Sequence, residues 1–536
     1  MVSLWGSKNG EEQGDGDGRA STDGDDGRQP PRHGDAGGRN PDERTRLLPP
    51  RNDGFLDPDD PAVSPYNLWT VRALRYISVL FLIISFLWWV LLLVSIFISP
   101  PMMHSRGSGF FDFSYTTLTV GNLLIAILFF TVPSKPMEIL TLVVSAFLLI
   151  DMIIILAVPR VRLEEGWVGI ASVIWAAVIA LYNVMTDRVV AWGKKEEEER
   201  LTGRHESRRT LREWCAVLTA TVIMVVMTVI VILLTATLIL RSRDASLEPP
   251  GKRYLVDGDK YEIHLACVGN VTFDADGKRT PTVLLEGGEN PVEDSMDDWV
   301  YAAYKNGTID RYCYYDRPGL AWSDNAPSPH SAGMTSDALS EALALAGEQH
   351  PWVLVSNGVG GIYSRIFASR HGREISGIFL IDTLHEDLLY RIASPSRGFL
   401  LWARGIISPL GWNRLPGAII KGRTREDRTY GKSAYQNGKF IKAKLQENLV
   451  AGSLTKNEVV QARNIQSKKT PLVVVSSGVE VRRDNEWERK QEDLTKLTKN
   501  LVAWDVVNAA PHEVWKTAEG RKILEKRLGQ LVRGTS

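Results

Sequence analysis

The sequence has little cysteine and no net charge. Three cysteines in 536 residues, Cys215, Cys267 and Cys313, exclude a disulfide scaffold and leave room for one bridge. Lys and Arg number 63, as do Asp and Glu, so bulk charge implies no nucleic-acid partner. No apolar stretch or cleavage site leads the chain, so no secretory signal is expected, and the leading segment is too acidic for a typical mitochondrial transit peptide. Residues 1–65 are rich in Gly, Asp, Arg and Pro and poor in large apolar side chains. Such a segment cannot bury enough surface to offset its ordering entropy and is expected to be a disordered tail.

Long apolar runs are what the sequence does have. Five of them lie at about 76–98, 114–132, 137–158, 167–185 and 216–240. Each supplies the roughly 20 apolar residues that a helix needs to cross a bilayer. The segment between the fourth and fifth runs, 187–214, holds Arg188, Lys194, Lys195, Arg200, Arg204, Arg208, Arg209 and Arg212. The loop at 99–113 holds only Arg106, and the one at 159–166 holds Arg160 and Arg162. Basic loops stay in the cytosol, so the N-terminus is predicted there and everything after Arg241 on the far side. Arg241, Arg243, Lys252 and Arg253 follow the last run and count against that orientation. Two features of the C-terminal part agree with it. Asn270-Val-Thr272 and Asn306-Gly-Thr308 are glycosylation acceptor patterns. Cys267 and Cys313 also fall there, and a bridge persists only in an oxidising compartment. The organisation read from these patterns is a cytosolic tail (1–65), a five-helix membrane region (66–243) and a C-terminal domain (244–536).

In the tail, Glu43-Arg-Thr-Arg-Leu47-Leu48 fits the pattern [DE]xxxL[LI]. It resembles the sorting signals of vacuolar and lysosomal membrane proteins, which implies a coat adaptor as partner and an endomembrane address, with a mitochondrial membrane as the alternative. Within the spans, Asp151 and Asn122 are polar. An acid in lipid is a functional candidate by default. With no second buried charge beside it, Asp151 is read as pairing with Asn122 or water.

From about residue 252 short apolar strands alternate with helical segments, which predicts a mostly parallel sheet with helices on both faces. The strands are read in "KYEIHLACVG", "PTVLLEGG", "RYCYY", "PWVLVSN", "ISGIFLID", "PLVVVSSG" and "LVAWDVVN". This order, with "YDRPGLAWSD", the strand–turn–helix at 351–372, "FLIDTLHED", a long insertion and a final "APHEVW", resembles the α/β-hydrolase superfamily over most of 252–533. Five spans ahead of such a domain resemble fungal multi-pass membrane proteins that carry an α/β-hydrolase-like domain.

The resemblance assigns roles. The nucleophile of that family sits on a sharp strand-to-helix turn, G-x-S-x-G. Here the turn is Ser356-Asn357-Gly358-Val359-Gly360, so Gly358 stands at the nucleophile position. Ser356 falls at the strand end and Ser364 on the following helix. His512 matches the general-base position. The acid is expected after the strand at 471–477, where Glu480 and Asp484 are the candidates. The oxyanion donors are expected to be the N–H of Val359 and one from the Gly288 turn, with Glu289 beside them opposing a developing negative charge. His385 reads as structural. No cofactor and no metal is implied. Without a nucleophile the acyl-enzyme route has no first step.

The domain therefore reads as a degenerate hydrolase that binds a small apolar or lipid ligand or acts as a scaffold. The alternative is a serine hydrolase using Ser356, or one in which His512 activates water. A transporter-like role has little support from so few intramembrane polar residues. The insertion, 385–465, is expected to be a lid. Residues 391–470 hold 16 Lys/Arg against 4 Asp/Glu, with the apolar run "GFLLWARGIISPLGW" at 398–412. That lid either has a solvated face or rests on an anionic bilayer. In the family the strands bearing Cys267 and Cys313 are neighbours. They could be bridged if both side chains face the same way, and are otherwise buried thiols.

Overall fold

A computed structural model describes residues 64–103, 105–203 and 210–534. The sorting pattern at Glu43, Leu47 and Leu48, and the rest of the tail expected over 1–65 up to residue 63, lie outside the described residues.

Among the described residues five helices are long and apolar enough to span a membrane: α1 (Trp69–Ser95), α2 (Phe110–Leu128), α3 (Lys135–Ala157), α4 (Pro159–Thr202) and α5 (Leu211–Asp244). The fourth is longer than its apolar run. Lys194–Glu198 and Lys195–Glu199 pairs at i,i+4 line its extension, the spacing that supports a helix in water. Much of the expected basic loop is therefore helix. The helix α5 then opens with a capping box, Thr210 and Glu213 exchanging hydrogen bonds.

The two ends of the bundle are distinct. At one end Asn67 donates to Glu197 (2.8 Å), Lys194 pairs with Glu213 (2.9 Å), and Tyr66 stacks on Phe130. That end gathers the start of α1 and the charged terminus of α4, which bears Lys194, Lys195 and Arg200 among four glutamates. At the other end Arg160 pairs with Glu262 (2.7 Å) and with Asp324, and Ser99 N–H donates to the Ser328 carbonyl (2.8 Å). The C-terminal domain is docked there. Arg241, which counted against the orientation, is buried and paired with Glu164 (2.6 Å) and Glu165, so it is an internal ion pair and not a free flanking charge. In the bundle core Asp151 accepts from the Tyr115 hydroxyl (3.2 Å). The expected Asn122 partner is replaced by a phenol.

The C-terminal domain is an eight-stranded sheet in the order β1-β2-β4-β3-β5-β6-β7-β8. The strands are β1 (Lys252–Val256), β2 (Tyr261–Gly269), β3 (Thr282–Glu286), β4 (Arg311–Tyr315), β5 (Trp352–Asn357), β6 (Ile375–Ile381), β7 (Leu472–Ser477) and β8 (Leu501–Val507). Only β2 runs antiparallel to its neighbours; β3 to β8 pair in parallel. This is the α/β-hydrolase arrangement. Because side chains alternate along a strand, each central strand feeds two cores. Val283, Leu285, Val353, Val355, Phe379 and Val473 pack on one face against α6 (Asp297–Lys305) and the closing helix, Ala518–Arg533. Leu284, Leu354, Ile378, Leu380 and Val474 pack on the other against α7 (Ala332–Ala346) and α8 (Gly360–Arg370).

Cys267 and Cys313 stand opposite each other in the β2–β4 ladder and form a disulfide. Cys215 is free and exposed. Between β6 and β7 the chain inserts α9 (Pro395–Ile407), α10 (Arg414–Ile419), α11 (Gly438–Val450) and α12 (Lys456–Ile465). These helices do not stand clear of the membrane region. Ile441 and Leu445 of α11 share a core with Leu92 and Ile96 of the first span and its end, Phe110 and Phe113 of α2, and Val168. Asp244 at the end of α5 takes Arg414 (2.7 Å) and Arg428 (2.6 Å).

Candidate functional site

The strand β5 ends at Asn357 and α8 begins at Gly360, so the chain reverses over two residues. Gly358 sits at the apex with φ +51°, where glycine has no steric penalty. The turn is packed on both sides. A Cβ at Gly360 would strike the Gly287 carbonyl, and one at Gly361 would strike Thr383. No hydroxyl stands at the apex. Ser356 is fully buried in the sheet, paired across to Leu380, and its Oγ meets no hydrogen-bond partner. Ser364 is buried on α8.

His512 lies in the loop after β8 and reaches the same place. Its Nδ1 donates to Asp382 Oδ2 at 2.6 Å. The carboxylate that meets Nδ1 is thus Asp382, at the end of β6, and not the expected Glu480 or Asp484. Asp382 is fully buried, and its other oxygen accepts from Ser477 N–H (3.0 Å) and Trp487 Nε1 (2.9 Å). The rejected pair have other work. After β7 the chain turns at once into the helix Gly478–Arg483, which carries Glu480 to the rim of the cleft. Asp484 caps the next helix by accepting from Glu486 N–H (2.9 Å), and it pairs with Arg391 (2.6 Å).

Glu289 completes the group. It leaves the β3 turn beside Gly288 and swings its carboxylate over the apex. Oε1 accepts from Val359 N–H at 3.3 Å, and Oε2 lies 3.5 Å from His512 Nε2. A Cβ at Gly358 would collide with this carboxylate. The turn is held by the "YDRPG" arginine. Arg317 is buried, pairs with Glu286 (2.9 Å), and donates to the Gly287 and Gly288 carbonyls. Gly288 therefore has its carbonyl fixed, and the expected Val359 donor is already occupied. His385 caps a short turn, accepting from Asp387 N–H (3.0 Å), with its other nitrogen on Asp493 and Arg463.

The charges are set by this geometry. Burial pulls the His512 imidazole down, but the hydrogen bonds and charges of Asp382 and Glu289 outweigh it and hold the pKa at about 10. Burial likewise pushes Glu289 up, and the imidazolium and Lys444 bring it down to about 2. Between those limits His512 is a cation with both ring nitrogens donating. It has no lone pair with which to take a proton.

The cleft beside this group has a volume of about 460 Å³. Glu289, Glu480, Glu513, Asn290, Asn357 and His512 line it together with Gly288, Ser295 and Pro511, so carboxylates stand in a wall that is in large part apolar. None of its lining residues comes from the insertion. The inserted helices stand beside it, with Glu447 3.4 Å from Arg317.

Asp382 and the reach of Glu289 were missed in the sequence. The one available signal for the first is an aspartate closing the apolar strand "ISGIFLID".

Residues 43–267 match a family described as a region of unknown function (DUF2417). An uncharacterised protein of Schizosaccharomyces pombe is 34% identical over 528 residues, covering 92% of this chain and 97% of that protein. An uncharacterised vacuolar membrane protein of Saccharomyces cerevisiae is 26% identical over 385 residues, covering 61% of this chain and 59% of that protein. Among solved structures, an α/β hydrolase enzyme from a deep-sea metagenome library has a TM-score of 0.37 at 14% identity, covering 53% of this chain and 98% of that chain. An enol-lactonase from Burkholderia xenovorans has a TM-score of 0.35 at 13% identity, covering 53% of this chain and 100% of that chain. With 34% of aligned residues identical along nearly the full length of both proteins, the chain belongs to the same family as the fission-yeast protein.

Proposed function

We propose that the chain is a membrane-anchored hydrolase relative that has given up covalent catalysis and serves as a binding or scaffold module of the vacuolar membrane. One observation carries this reading: the Glu289 carboxylate fills the space where a nucleophile and an oxyanion would have to stand. Attack on an ester needs an attacking atom, a base to take its proton and donors for the oxyanion. Here the apex is Gly358, His512 is held as a cation, and Val359 N–H is bound to the Glu289 carboxylate. The cleft joins an apolar wall to the carboxylates of Glu289, Glu480 and Glu513, which suits a small ligand or lipid with an apolar body and a polar or cationic head. The name of the Saccharomyces relative supports the vacuolar address.

We infer that the C-terminal domain faces the lumen. Its disulfide favours an oxidising compartment, Asn270 and Asn306 are both exposed, and the domain lies at the opposite end of the spans from the terminus of α4 that bears Lys194, Lys195 and Arg200. Endoglycosidase treatment checks this. A mobility shift that disappears in Asn270→Gln/Asn306→Gln is expected, and an unmodified wild type would reopen the mitochondrial placement.

A fluorophosphonate serine-hydrolase probe on the purified full-length protein tests the catalytic reading. Wild type and Ser356→Ala are both expected to stay unlabelled, while Gly358→Ser/Glu289→Gly takes up the probe. Labelling of wild type that is lost in Ser356→Ala would overturn it and make the protein an esterase with a displaced serine.

A further inference from the structure

The insertion has one face that packs on the spans and another that packs on nothing. On α9, Leu401, Trp402 and Ile406 join the core shared with α1 and α2, and Gly405 sits directly on the ring of Phe110. The chain then crosses to α5. Leu410 packs on the main bundle core, and Gly411 lies against the Thr237 side chain. Thr237 falls inside the apolar run of α5 (216–240) and not at its polar end. With a rise of about 1.5 Å per residue, it lies on the order of 10 Å before the helix terminus at Asp244. Backbone of the insertion therefore sits level with membrane-spanning sequence.

The opposite face is apolar and open. Phe399, Trp412 and Ile420 are 68%, 72% and 80% exposed, and Leu400, Ile407 and Ile419 are exposed beside them. They continue the exposed apolar belt of the spans, represented at this end by Ile98 and Trp167. The charge pattern is one-sided. No Asp or Glu occurs from residue 391 to 425, whereas Arg391, Arg397, Arg404, Arg414, Lys421, Arg423 and Arg425 do. Of these, Arg397, Arg404, Lys421 and Arg425 form no ion pair among the described residues, and Arg425 donates to the Ser246 hydroxyl (2.7 Å).

We propose that α9 and the turns through Ile420 are immersed in the leaflet on the side of the hydrolase-like domain, as a membrane element in addition to the five spans. Phe399, Leu400, Ile407, Trp412, Ile419 and Ile420 enter the acyl–headgroup boundary. Arg397, Arg404 and Lys421 meet the headgroup phosphates there. An apolar patch of this kind is a liability in water and is stabilised at a bilayer surface, where basic side chains reach the headgroup phosphates. The occupant is the bilayer because the patch is continuous with lipid-facing helices and level with their apolar length. A second copy of the chain would bring the unpaired Arg397, Arg404 and Lys421 against their own like charges. The inference is independent of whether the domain retains chemistry.

The test uses full-length protein carrying Cys215→Ser, so that one new cysteine is labelled at a time and Cys267–Cys313 stays bridged. Ile407→Cys and Ile419→Cys report on the patch, and Lys522→Cys, on the exposed face of the closing helix, reports on water. Each is labelled with an environment-sensitive fluorophore and reconstituted into phosphatidylcholine vesicles containing phosphatidylserine. At 407 and 419 the emission is expected to shift to the blue. Lipids bearing a spin label high on the acyl chain should quench it several-fold more than at 522. Emission and quenching equal to those at 522 would overturn the proposal. So would efficient cross-linking of Ile407→Cys between two copies in the same vesicles, which would assign the face to self-association.

Discussion

Glu289 Oε2 lies 3.5 Å from His512 Nε2, while Asp382 holds the other ring nitrogen at 2.6 Å. An imidazole between two carboxylates is a stable cation, and it ties the Gly288–Glu289 turn to the end of β6.

The first prediction concerns titration. His512 should show a midpoint near 10 by NMR of its ring protons, and Glu289→Gln should lower it. Its folded pKa is raised, so its stabilising contribution is complete below about 6.5 and is lost as pH rises through about 10. Glu289 is depressed, so its contribution is complete above about 4.5 and is lost as pH falls through about 2. The pair should therefore contribute evenly to thermal stability from pH 4.5 to 6.5. Melting curves across that window, wild type against Glu289→Gln, should differ by a constant offset.

Restoring the serine alone should fail. In Gly358→Ser the new Cβ meets the Glu289 carboxylate. The probe should label Gly358→Ser weakly or not at all, and label Gly358→Ser/Glu289→Gly at least tenfold more. Equal labelling of the two variants would show that Glu289 moves aside freely.

The bridge between β2 and β4 closes 46 residues of chain. Loop-closure arguments give about 4 kcal/mol for a loop of this order. Cys267→Ala/Cys313→Ala should lower the melting temperature of the domain by several degrees, and wild type should run faster on a non-reducing gel than after reduction.

Docking of the insertion on the spans should depend on Asp244. It is buried and answers two buried guanidinium groups, Arg414 and Arg428. Asp244→Asn leaves both without their counter-charge, a change that costs about 3–5 kcal/mol where a buried pair is broken. Limited proteolysis should then cut within 411–436 at protease levels that leave wild type intact.

Much of the fold was legible because its signals are long. Strands such as "TVLLE" and "LVVVS" are apolar runs of buried parallel sheet, and the five spans declare themselves by length. The strand β1 escaped because "KRYLV" has five residues, two of them charged, and is recognisable only by its pairing with β2. The apex was legible as well, since Gly358 is fixed by its distance from the strand and the following helix. Its two carboxylate partners were not. Asp382 follows β6, one strand earlier than expected, and sequence spacing does not say which of two adjacent strand ends faces His512. Glu289 was noticed as an unfavourable neighbour. That its side chain closes the turn depends on the path Arg317 imposes on Gly287 and Gly288, which no pattern of residues encodes.

The contact of Gly405 with Phe110 has a mechanical consequence. A cover joined to its domain only by flexible ends can flap independently of what lies beneath it. Here helices α9 and α11 are keyed into transmembrane helices at ring-to-backbone distance, so they have no freedom to swing without dragging α2. Stretching or thinning the bilayer enough to tilt α2 would shift those helices, and through Glu447 and Arg317 would tug the bend that carries Glu289. The membrane helices and the Gly358 bend are parts of one linkage.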